Sequence, residues 1–169
     1  MANATHTTPS VYVGTYYKYN SGSIVGKWLA LDVYNNAEEF YNACRALHSD
    51  ERDPEFMFQD FEGFPASYYG ESWIDSELWD WLELSQDEQE TVAAYRDNVD
   101  LNATIEQALE AFCGVYKDRA DWAWHWLNET GESVPEHLQG YIDYDAYARD
   151  SEMCFVQSSW ANCYAFFNV

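Results

Sequence analysis

The chain has 169 residues, 47% of them hydrophobic and 18% aromatic, which is the composition of a globular protein and excludes an acidic disordered tail. Thirty acids against eight bases leave a formal charge of −22, a field that repels nucleic acid and anionic membranes and attracts basic surfaces. No run of eighteen apolar residues occurs, and MANATHTTPS has neither the basic nor the apolar region of a leader, so the chain is expected to be soluble and cytoplasmic.

After Pro9, Val11 to Tyr19 and Ile24 to Leu31 are β-branched and aromatic runs on either side of Asn20-Ser21-Gly22-Ser23, which predicts a hairpin. Asn35 or Asn36 can cap a helix carrying Phe40, Ala43, Cys44 and Leu47, which ends before Asp53-Pro54. Phe56, Met57, Phe58 and Phe61 predict a third strand, and Gly63 and Pro65 then break the chain. Beyond that break the hydrophobic period changes from two toward 3.6. A helix over Ser72 to Glu83 would place Ile74, Leu78, Trp81 and Leu82 on one face and Glu77, Asp80 and Glu83 on the other. Ser85 and Glu88 form a capping box for a second helix, and a third is expected from Asn102 to Phe112. A strand over Phe112 to Tyr116 follows, then a helix capped by Asp118 that reaches Asn128. There the alternation Trp122, Trp124, Trp126 also permits a strand. Asp143 to Asp150 is expected as a short helix, with closing strands at Phe155 to Ser158 and Cys163 to Phe167.

The charge is unevenly placed. Residues 1–52 carry a net −1, residues 53–116 a net −15 and residues 117–169 a net −6, and the middle stretch has one base, Arg96, among sixteen acids. Acids at i, i+3 spacing repel one another, and a helix shaped for stability alone would place Lys or Arg between them. A partner with a strongly basic groove explains their near-absence. Duplex DNA carries one charge per ~1.7 Å of axis, so −22 matches in number about 37 Å of duplex, and a dimer about twice that.

Other chemistries lack their patterns. No pair of carboxylates stands apart from its neighbours as a general acid and base. Asp143-Tyr144-Asp145 opens like a calcium loop but lacks the later Gly and Glu, and His6, His48, His125 and His137 have no ligand partners at metal spacing. Cys44, Cys113, Cys154 and Cys163 form no CxxC pair and are expected as free thiols. The Trp122 to Trp126 rings lack the basic track that base-stacking modules need and are expected to pack in a core or subunit interface.

Three blocks carry a family resemblance: YVGTYYKYNSGSIVGKW at Tyr12 to Trp28, EEFYNACRALHSDERDPEFMFQDFEGFP at Glu38 to Pro65, and PEHLQGYIDYDAYARD at Pro135 to Asp150. They resemble the ArdA-type antirestriction proteins, with Tyr141-Ile142-Asp143-Tyr144 similar to that family's C-terminal signature. The middle acidic part resembles the family in composition more than in a motif. The resemblance implies an elongated, three-part, dimeric mimic of bent DNA, carried on mobile genetic elements, that blocks type I restriction-modification enzymes.

The expectation is therefore an α+β fold in three parts: a small antiparallel sheet with a helix over 1–62, short acidic helices over 63–103, and a small sheet with helices over 104–169 that carries the homodimer contact. Asp75, Glu77, Asp80, Glu83, Asp87, Glu88, Glu90, Asp97, Glu106 and Glu110 are the expected contacts to the methyltransferase and specificity subunits of a type I enzyme. No catalytic residue, cofactor, metal, nucleic acid or membrane is expected. An acidic module for another basic DNA-binding protein or regulator is the alternative.

Overall fold

A computed structural model describes residues 7–130, 134–157 and 162–168. The fold is α+β, with three small antiparallel sheets among the described residues, and its contacts group into two compact units, Met1–Leu84 and Ser85–Val169. The expected position of Ser158, at the end of one closing strand, lies outside the described residues, as does His6.

In the first unit, β1 (Ser10–Thr15) is central, with β2 (Lys27–Ala30) and β3 (Phe56–Glu62) antiparallel on its two sides. Val11 and Val13 are fully buried, while Tyr12 between them is half-buried and meets Trp28 edge-on at 5.7 Å, the two-residue alternation of a sheet. The hairpin is shorter than expected on both arms. At Thr15 the hydroxyl accepts the Lys18 amide, and the chain leaves the sheet as helix α1 (Tyr16–Asn20). Ile24 and Val25 remain exposed at 74% and 64%, and pairing resumes only at Lys27. Gly26 is required there, since a Cβ at that position would overlap the Val13 carbonyl.

Lys18 then ties α1 to the end of α2 (Ala37–Leu47), the helix that Asn36 caps by accepting the Glu39 amide at 3.0 Å. Its Nζ lies 2.9 Å from Asp50 Oδ1, 3.4 Å from Glu51 Oε1 and 2.9 Å from Nδ1 of the buried His48. His48 Nε2 is 3.2 Å from the Val13 carbonyl, so that nitrogen carries the proton and Nδ1 accepts from the ammonium. Phe40 on α2 is fully buried among the rings of Tyr34, Tyr41, Phe58 and Trp79, and beside it burial pushes the Cys44 thiol up to about 12.

The helix expected from Ser72 starts five residues later. A short 3₁₀ turn (Ala66–Tyr68) leads into β4 (Tyr69–Gly70) and β5 (Trp73–Ile74), which pair as a two-stranded ribbon, and only then does α3 (Glu77–Glu83) begin. Hydrogen bonds to the rest of the unit hold the ribbon extended. The Ile74 amide donates to the Tyr41 hydroxyl at 3.1 Å, the Asp75 amide to the Tyr68 carbonyl at 3.0 Å and the Tyr69 hydroxyl to the Phe58 carbonyl at 2.6 Å.

In the second unit, α4 (Gln86–Asn98) and α5 (Ile105–Ala111) precede a sheet of β6 (Phe112–Tyr116), β7 (Met153–Gln157) and β8 (Cys163–Phe167) in the order β6-β8-β7. The third expected helix starts at Ile105 rather than Asn102 because Thr104 is the cap: its hydroxyl accepts the Gln107 amide while Gln107 Oε1 accepts the Thr104 amide. Phe112, where the expected helix and the expected strand meet, opens β6, which has the bounds expected for that strand. Between β6 and β7 lie α6 (Arg119–Glu129), capped by Asp118, then α7 (Glu136–Gln139) and α8 (Tyr144–Asp150). Trp122 and Ala123 of α6, Ala148 of α8 and Ala165 of β8 form a buried cluster, with Trp126 stacked on Trp122 at 5.6 Å and Trp124 turned outward. The three tryptophans are therefore helical, with two facing inward. No helix among the described residues is long and apolar enough to cross a membrane.

Two outcomes follow. Leu78 is fully buried under α3, so Leu78→Ala is expected to lower unfolding stability by about 2–5 kcal/mol, measured by denaturant titration. Asp50 and Asp145 sit below the usual carboxylate range because Lys18 and Arg119 hydrogen-bond them, Arg119 through a two-pronged pair at 2.6 and 2.8 Å. A depressed carboxylate contributes stability above its ordinary value near pH 4 and loses it as pH falls through the lowered value. The melting temperature is therefore expected to fall below about pH 4, and less steeply in Asp145→Asn.

Candidate partner-binding surface

Four of the ten expected contact acids belong to the first unit. Asp80 and Glu83 point outward from α3, and Asp75 is exposed just before it. Asp75 Oδ1 accepts the Glu77 amide at 2.9 Å, so this carboxylate starts the helix. Glu77 is half-buried rather than on an open ridge. The inner face of α3 is wider than the spacing predicted. Leu78, Trp79 and Trp81 are all buried, Leu82 is half-buried, and Trp79 packs on Phe40 with ring centroids 5.8 Å apart.

The other six belong to the second unit, and all are exposed. On α4, Asp87, Glu88, Glu90 and Asp97 face solvent while Thr91, Val92 and Tyr95 are buried. Glu88 Oε2 accepts the Ser85 amide at 2.8 Å and the Ser85 hydroxyl at 2.7 Å, and these bonds hold the Glu88 carboxyl below its usual range. Glu90 Oε1 accepts from the Gln86 side-chain Nε2 at 3.0 Å, and its Oε2 accepts from the Tyr164 hydroxyl at 3.3 Å. Burial and then Glu90 push the Tyr164 phenol upward. On α5, Glu106 and Glu110 face out opposite the buried Ala108 and Ala111.

Several bases are engaged elsewhere. Lys18 holds Asp50 and Glu51, Arg119 holds Asp145, and Arg149 lies 3.6 Å from Asp150. Arg96, within the acidic stretch, donates its Nε to the Ala103 carbonyl at 2.8 Å. His48, Asp50 and Glu51 bring three potential metal ligands within 4.8 Å of one another, but the Lys18 ammonium lies among them where a cation would bind. The opening of the apparent calcium loop is likewise committed, since Asp143 accepts the Ala146 amide as the α8 cap and Asp145 binds Arg119. These acids and bases organise the fold around the exposed set.

One acid of the middle stretch lies outside the ten expected contacts. Asp100 belongs to no regular element and fits no helical ridge, yet with Glu110 it lines a cavity in the second unit. The nearby Asn102 amide donates to its Oδ1 at 2.9 Å.

Comparison with known families identifies the chain more directly than its geometry does. The sequence profile of the antirestriction protein family ArdA matches residues 11–164, a span that takes in all three of the blocks singled out above. Comparison with curated proteins gave no significant match. A profile match of that extent places the chain in the ArdA family of antirestriction proteins.

Proposed function

We propose that this protein is a stoichiometric DNA mimic that enters the Lys- and Arg-lined DNA channel of a type I restriction-modification enzyme and excludes the duplex. The contact is made by Asp75, Glu77, Asp80, Glu83, Asp87, Glu88, Glu90, Asp97, Glu106 and Glu110, from a homodimer in the cytoplasm, without turnover. The observation that carries this reading is the exposure of nine of these ten carboxylates on elements whose opposite faces are buried. A basic channel is the surface to which such a face is complementary.

Two further features favour it. Acids on successive helical turns lie about 5–6 Å apart, a coarse approximation to a row of phosphates. Glu88 and Glu90 are held by hydrogen bonds within α4 and to Tyr164, so less side-chain freedom is lost when they meet a partner.

Contact energy spread over many exposed charges predicts a characteristic mutational response. Each single Asp→Asn or Glu→Gln change among the ten should weaken inhibition by less than about fivefold, and four or more together should abolish it. The measurement is displacement of duplex DNA from a purified type I methyltransferase. Failure to displace DNA would reject the proposal, as would complete loss from one charge change, and recovery of only unrelated basic proteins from host lysate would favour the alternative acidic module. Added salt should raise the melting temperature by screening self-repulsion while weakening the complex. A melting temperature that falls in moderate salt would mean that the acids are already paired.

A further inference from the structure

Asp100, Glu110, Tyr95, Ala103 and Gln107 line a cavity of about 300 Å³ in the second unit. Both acids are exposed, whereas Tyr95 is only 5% exposed and packs its ring edge-on against Phe166 at 5.1 Å. The Tyr95 hydroxyl has no hydrogen-bond partner among the described residues, although the side chain forms part of the cavity wall. Its hydroxyl keeps donor and acceptor capacity for something that enters. Gln107 Oε1 is taken by the Thr104 amide and one Asp100 oxygen by the Asn102 amide, so carboxylate oxygens and the phenol dominate what remains. Arg96 bonds the carbonyl of Ala103, and no base is among the lining residues.

We propose that this cavity is a socket for one guanidinium, the side chain of an arginine on the basic partner. Asp100 and Glu110 accept its N–H groups, and Tyr95 supplies the hydroxyl and an aromatic wall. The proposal rests on the reading that the acids meet a basic channel, and it adds one fixed point to an otherwise diffuse contact. A guanidinium presents five donors in a plane and is more weakly hydrated than an ammonium, so a half-enclosed acidic site with an aromatic wall selects arginine over lysine. A space of about 300 Å³ holds the head group and part of its stem.

The test is amide NMR on the full chain at fixed ionic strength, titrated with acetyl-arginine amide and, separately, with acetyl-lysine amide. Saturable shifts at residues 95–110 are expected with arginine at millimolar concentration, and roughly tenfold weaker binding with lysine. Tyr95→Phe keeps the ring on Phe166 and should weaken arginine binding roughly tenfold, and D100N with E110Q should remove it. Equal, unsaturating shifts from both probes would overturn the socket, as would an unchanged response in Tyr95→Phe or displacement of the probe by magnesium at matched ionic strength. The two readings fail separately. DNA displacement without arginine saturation leaves mimicry standing and rejects the socket, whereas saturation without DNA displacement rejects mimicry and leaves the socket.

Discussion

Repulsion among carboxylates is the constraint from which the rest of this structure follows. With sixteen acids and one base over residues 53–116, the helices of that stretch have little access to the i, i+4 ion pairs that support exposed helices elsewhere. At seven, thirteen and seven residues they are also too short to persist on propensity alone. Two other sources remain, and both are used. Each helix buries its inner face, through Leu78, Trp79 and Trp81 on α3, Val92 and Tyr95 on α4, and Ala108 and Ala111 on α5. Each N-terminus has a side chain that accepts its free amides: Asp75, Ser85 and Thr104. Burial on one side and capping at one end leave the outer face free to carry charge of one sign.

The placement of the bases fits the same constraint. Lys18 and Arg119 each serve a junction between separate elements, α1 with the chain after α2 and α6 with α8. Lys18 makes the clearest case. Its ammonium sits where His48, Asp50 and Glu51 would otherwise collect a cation, which turns three metal-type ligands into a contact within the unit. Lys18 and Arg119 thus pair with acids at these junctions and not with the expected contact acids.

The sequence was most legible where structure is decided locally. Asn36, Ser85 with Glu88, and Asp118 cap the helices expected of them, because a capping side chain acts within three or four residues of itself. The tryptophan run is a helix for the same reason. Errors fell where distant groups decide. Residues 72–76 carry a helical pattern but are drawn into a ribbon by Tyr41, 33 residues from Ile74, and by Tyr68. Tyr16 to Tyr19 read as strand, yet Lys18 is called away by acids more than 30 residues later. Solvent exposure of the acids was largely visible from their phase against the apolar residues. Glu77 and Trp79 departed from that phase because a seven-residue helix packed under other rings is covered on more than one side. Asp100 was counted in the acidic stretch but not among the contacts, because a loop residue has no phase.

Use of a carboxylate as a cap and its presentation to a partner are compatible, and the reason lies in how many lone pairs the group has. A carboxylate offers about four acceptor sites on two oxygens. Glu88 makes both capping bonds through Oε2, and Asp75 starts α3 through Oδ1. Each bond leaves the second oxygen of its carboxylate without a capping role, and in Glu88 the capping bonds hold the carboxyl below its usual range. Glu90 is held at both oxygens and is correspondingly more rigid. In a chain with so few bases, acids that stabilise their own helices are the economical way to hold negative charge at set positions, because no cation is consumed in doing so. The features that let the acidic stretch fold are thus the same ones that fix its charges in space.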